Sequence, residues 1–106
     1  MQGIARPLHP SDFRLVVSAE VDALMLSARH LTPAGVLNHA IDEMTVIASG
    51  DCQSGSGAKL TRKFRLTDAR LVKIAQVARS KGISENNVAI GAIRQFARNH
   101  PTYARP

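Results

Sequence analysis

Between residues 59 and 67 the chain reads Lys-Leu-Thr-Arg-Lys-Phe-Arg-Leu-Thr, and apolar and polar side chains alternate over its second half. In an extended strand Phe64 and Leu66 share one face, while Lys63, Arg65 and Thr67 share the other. The first face can be buried. The second presents two cations and a hydroxyl in a row, which suits recognition of anions and hydrogen-bonding edges. Arg can hold O6 and N7 of guanine with two parallel bonds, Lys reaches the same atoms, and Thr offers a hydroxyl and a methyl. A short half-basic strand followed at once by two helical patterns suggests a β-ribbon shaped for a DNA groove.

Bond-making chemistry finds no comparable support. His9, His30, His39 and His100 are scattered without metal-ligand spacing. His39 borders an apolar stripe and reads as a helix-surface residue. There is no glycine-rich phosphate loop, nucleophile elbow or paired carboxylate set. The single Cys52 excludes an internal disulfide and lies among Gly and Ser, away from a catalytic partner. The expectation is a non-enzyme without cofactor or metal.

The formal charge of +6 is unevenly placed. Residues 1–57 hold three Arg against six acids, a net −3, and residues 58–106 hold eleven Lys/Arg against two acids, a net +9. Such a split points to a polyanion for the second half. With 106 residues, 44% hydrophobic, 4% aromatic and no Trp, the chain fits one domain, or two very small units sharing an aliphatic core. No apolar run approaches the ~18 residues of a membrane span, and the N-terminus lacks a signal-peptide layout. These features set the expectation of a cytoplasmic protein with no membrane partner.

The elements that must carry the basic strand follow from caps and periodicity. Residues 1–11 read as a flexible arm. Phe13-Arg14-Leu15-Val16-Val17 alternates as a strand with Phe13, Leu15 and Val17 on one face. Ser18 caps a helix that ends near His30. Thr32-Pro33 restarts a second helix with Val36, Leu37, Ala40, Ile41, Met44 and Ile47 as its stripe, running to about Ala48. Residues 49–58 have the composition of a Gly/Ser linker. Thr67 caps a third helix that Gly82 ends, Ser84 caps a fourth, and Pro101 stops it. Residues 101–106 are a tail.

Strand, helix, turn and helix therefore occur twice, over 12–48 and 59–100. Phe13-Arg14-Leu15 matches Phe64-Arg65-Leu66 at an offset of 51, and Ala28-Arg29 matches Ala78-Arg79 at 50. Val36, Ala40, Ile41 and Met44 match Val88, Ala92, Ile93 and Phe96 at 52. Each copy is too small to support its own core, and a lone strand leaves backbone groups unpaired. Both problems vanish if the two strands pair antiparallel over four helices. The expected fold is mainly α with a short antiparallel β-ribbon, an intramolecular pseudo-dimer sharing one core.

Phe64-Arg65-Leu66-Thr67-Asp68, the helix through Gly82, and Ile83-Ser84-Glu85-Asn86-Asn87-Val88 resemble the ribbon-helix-helix superfamily of Arc- and MetJ-type DNA-binding proteins. The resemblance covers residues 60–99 well and 12–48 more weakly. Two copies in one chain are similar to TraY-type accessory proteins of conjugative DNA transfer, which assist a relaxase. The resemblance implies double-stranded DNA as partner, read by the outward strand residues in the major groove. Those are Lys63, Arg65 and Thr67 in the second copy, and Arg14 and Val16 in the first. It implies phosphate anchoring at the starts of the second helices, by Ser84, Asn86 and Asn87 and by Thr32, Ala34 and Gly35. Lys59 and Arg62 add backbone contacts. The implied roles are transfer accessory factor or transcriptional repressor, acting as a monomeric pseudo-dimer or as a homo-oligomer on DNA. An antitoxin-like module that binds a protein and regulates its own promoter is the alternative.

Overall fold

The computed structural model describes residues 12–28, 31–53, 55 and 57–100. The expected arm (1–11), tail (101–106) and first-copy turn at Arg29-His30 lie outside them. Two strands and four helices follow in the order β1 (Asp12–Ser18), α1 (Ala19–Leu26), α2 (Pro33–Glu43), β2 (Lys59–Arg65), α3 (Asp68–Lys81) and α4 (Glu85–Asn99). A 3₁₀ turn, Ser49–Cys52, lies between α2 and β2. The protein is thus mainly helical with one two-stranded antiparallel sheet.

Four hydroxyls start the four helices in the same way. Ser18, Thr32, Thr67 and Ser84 each accept the N–H of the residue three positions on, which are Val21, Gly35, Arg70 and Asn87. Each satisfies one backbone donor that has no partner within its own helix. Gly82 ends α3 in the left-handed region at φ 70°, which a residue without Cβ adopts freely.

β1 and β2 pair so that Phe13 faces Phe64, Arg14 faces Lys63, Leu15 faces Arg62 and Val16 faces Thr61. Phe13, Leu15, Val17 and Phe64 point into the core, joined by Leu66 just past β2. Beneath the ribbon α4 is the central element, packing against α1, α2, α3, β1 and the 3₁₀ turn. Its residues Val88 through Ile93 are all buried, as befits a helix enclosed on most sides.

The burial pattern repeats. Val36, Leu37, Ala40, Ile41 and Met44 are buried, and so are Val88, Ala89, Ala92, Ile93 and Phe96, 52 residues on. At the strands the equivalence differs from the expected offset of 51. Ser18 and Thr67 both cap a helix, and Leu15 and Val17 correspond in burial to Phe64 and Leu66, which sets the offset at 49. Phe13 and Phe64 are cross-strand partners.

Three other expectations are corrected. The first helix stops at Leu26 and the second at Glu43, short of His30 and Ala48. From Met44 the chain leaves the helix, gripped by Gln95 of α4. Gln95 accepts the N–H of Thr45 (3.0 Å) and donates to the Val46 carbonyl and the Thr45 hydroxyl (both 3.1 Å). Ile47 is still buried, and Val46 is turned out. The segment after it is not a free linker, because Cys52 is buried against α4 and Asp51 is bound by Arg98 at 2.7 and 2.8 Å. Arg94 donates to the carbonyls of Asp51 and Gln53.

Candidate nucleic-acid interface

Every second residue of the ribbon faces away from the helices. The outward rows are Asp12 opposite Arg65, Arg14 opposite Lys63, Val16 opposite Thr61, and Ser18 opposite Lys59. Arg14, Thr61, Lys63, Arg65 and Lys59 are exposed, Val16 is 37% exposed, and Ser18 is buried. Arg65 lies 3.7 Å from the Asp12 carboxylate, a loose contact between two exposed groups. Arg14 and Lys63 have no ion-pair partner among the described residues and stand directly across the ribbon from each other.

Arg62 sits on the opposite face. Its Nε and Nη2 hold the carboxylate of buried Asp22 at 2.5 and 3.2 Å, and that bond keeps the guanidinium firmly charged. It is spent on the fold and does not stand with Lys63. Thr67 caps α3 as expected. It lies beyond the end of β2, however, so it is not a rung of the ladder.

At the start of α4 the residues named as phosphate contacts carry structural bonds. Ser84 Oγ takes the Asn87 N–H. Asn86 accepts the Val16 N–H and donates to the Val16 carbonyl, both at 2.8 Å, continuing the sheet pattern at the open edge of β1. The side chain of Asn86 is therefore occupied, while the backbone N–H groups of Glu85 and Asn86 have no acceptor among the described residues. The clamp also seats the positive end of α4 beside the ribbon. At the start of α2 the Thr32 hydroxyl uses the Gly35 N–H, Pro33 has none, and Ala34 keeps one donor.

Thr61 is an outward residue that was not among the expected contacts. Period two carried back from Lys63 reaches it directly, so the signal was in the strand itself.

The charge split has an internal destination. All six acids of residues 1–57 meet side chains of the second half: five stand in ion pairs, Asp12–Arg65, Glu20–Arg94, Asp22–Arg62, Asp42–Arg70 and Asp51–Arg98, and Glu43 contacts the His100 ring. Hydrogen bonds from Arg70 and Arg98 hold the Asp42 and Asp51 carboxyls below the usual carboxylate value. Lys73 donates to the Ile41 and Asp42 carbonyls at the end of α2, where a cation is favoured. The basic side chains left over among the described residues lie on the outward ribbon, as Arg14, Lys59 and Lys63, and near the end of α3, as Arg79 and Lys81.

The described residues contain no group of three or more His, Cys, Asp or Glu able to hold a metal, and none of their helices is long and apolar enough to cross a membrane. His39 is exposed, its ring 6.3 Å from Phe96. The Cys52 thiol is pushed up by burial. No family model, no curated protein and no solved structure matches the chain.

Proposed function

We propose that the chain is a tandem ribbon-helix-helix pseudo-dimer that binds double-stranded DNA sequence-specifically, laying its two-stranded ribbon in the major groove. The observation that carries this reading is the Arg14–Lys63 pair. Like charges directly opposite on a ribbon oppose its formation, and among the described residues neither has an acid to offset it. An anionic ligand resolves that repulsion. A two-stranded ribbon also fits the major groove, where each base pair displays its own donor and acceptor pattern. Thr61, Arg65 and Val16 complete the reading surface, and the free N–H groups at the start of α4 offer a phosphate anchor beside it. An accessory role in conjugative transfer, beside a relaxase or other transfer protein, or a repressor role, would use this one surface.

The test is DNA binding by the wild type and by Lys63→Ala/Arg65→Ala over a range of salt concentrations. Specific affinity should fall at least tenfold, since each good base contact discriminates by about 1–3 kcal/mol. The salt slope should shrink if either side chain meets a phosphate. Equal binding by both proteins would overturn the ribbon assignment and leave the protein-interaction reading in its place.

A further inference from the structure

We infer that the DNA target is directional: a non-palindromic duplex whose one end is read by charge, through Arg65 and Asp12, and whose other end is read by a thymine methyl, through Val16. The inference rests on the DNA-binding reading above and goes beyond it by assigning a base class to each end of the ribbon.

The helix caps fix which strand positions correspond. Ser18 and Thr67 begin equivalent helices, so Arg14 and Lys63 are equivalent, each four residues before its cap. They also face each other in the ladder, which puts them at the centre of the outward surface. On one side of this centre lie Arg65 and Asp12. On the other lie Val16 and Thr61. By the same count Arg65 and Val16 are equivalent positions, as are Thr61 and Asp12. A symmetric target would present the same base to Arg65 and to Val16, and those two side chains share no recognition chemistry.

Each end has a chemistry of its own. The Arg65 guanidinium fits O6 and N7 of guanine, and the neighbouring Asp12 carboxylate accepts from the amino group of cytosine. Together they suit a G·C pair or step. Val16 is apolar, outward and partly exposed, and Thr61 beside it adds a second methyl. That patch suits the C5-methyl of thymine, a group unique to A·T pairs in the major groove. The Val16 end is also the one that Asn86 ties to the start of α4, so backbone N–H groups there can supply a phosphate contact beside that of Lys59.

The experiment begins with selection of the intact chain's preferred site from a randomised duplex library. Individual thymines of that duplex are then replaced by deoxyuridine and individual guanines by 7-deazaguanine, and binding is measured for the wild type, Val16→Ala and Arg65→Ala. The expected site is non-palindromic. Deoxyuridine at one end should weaken the wild type about fourfold, the factor one buried methyl is worth, and should leave Val16→Ala unaffected. 7-Deazaguanine at the other end should weaken the wild type about tenfold and have no further effect in Arg65→Ala. A palindromic site, equal binding to a palindrome built from either end, or indifference to deoxyuridine throughout would overturn directionality while leaving a Lys63- and Arg65-dependent DNA binder. No sequence preference at all would overturn the DNA-reading role and directionality with it.

Discussion

The guanidinium of Arg62 and the ammonium of Lys63 are one residue apart, yet the pleat points them at different things. Arg62 is turned inward onto Asp22, whose carboxylate is buried; Lys63 is turned out with no partner among the described residues. Removing Arg62 would leave an uncompensated buried charge. Arg62→Ala should lower unfolding stability by about 2 kcal/mol, below the ~3–5 kcal/mol of a fully buried pair because Arg62 is itself a third exposed. Lys63→Ala should stay within about 0.5 kcal/mol of wild type, as surface substitutions do. Denaturant melts of the two variants separate these outcomes, and a Lys63→Ala loss as large as that of Arg62→Ala would contradict the assignment. At this scale the sequence is legible through parity: once Phe64 is inward, Lys63, Arg65 and Thr61 must be outward. Parity does not announce where a strand stops, which is why Thr67 reads both as a rung and as a cap when β2 ends at Arg65 and only the cap is formed.

Among the elements, α4 meets the rest of the fold at close range, as Gly91 shows. A Cβ at that position would come within 2.7 Å of Ile47 Cγ2 and 2.8 Å of Cys52 Sγ. Gly91→Ala gains about 1 kcal/mol of helix propensity. It must also displace two buried side chains, and overpacking of that kind costs about 1–3 kcal/mol. We expect a net loss of about 1 kcal/mol in a thermal or denaturant melt; a stabilised variant would mean that the 3₁₀ turn is not seated on α4. The four caps, the left-handed Gly82 and the ends of α3 and α4 are visible in sequence because hydroxyls, glycine and proline act locally. The end of α2 is not, since Met44 and Ile47 prolong its apolar period. Gln95, fifty residues on, stops the helix by taking up the backbone of Thr45 and Val46. The Gly/Ser composition of 49–58 hides the docked turn for a similar reason: the donors that fix it belong to Arg94 and Arg98.

For the whole molecule, the split between a net −3 and a net +9 is plain in the sequence, but a number does not name its counterpart. Half of the answer is internal, because every acid of the first half meets a basic side chain of the second. Two of these carboxyls, Asp42 and Asp51, are held below their ordinary value of 3.8. Their contribution to stability is therefore complete above that value and is lost as pH falls through it toward the lower folded value. The melting temperature should hold from pH 7 to 5 and drop between pH 4 and 3, by less in Arg98→Ala/Arg70→Ala. An unchanged melting temperature at pH 3 would contradict the pairing. The grip of one half on the other has a direction as well. Asn86, Gln95, Lys73 and Arg94 hold backbone groups of the first half, and among the described residues no first-half side chain returns the hold. The residues 52 positions before Asn86 and Gln95 are Ala34 and Glu43, neither a carboxamide. The second half is thus the template and the first its client. Inherited change should fall unequally on the two halves, with the first free to vary its segment ends and the second held fixed by what it supports.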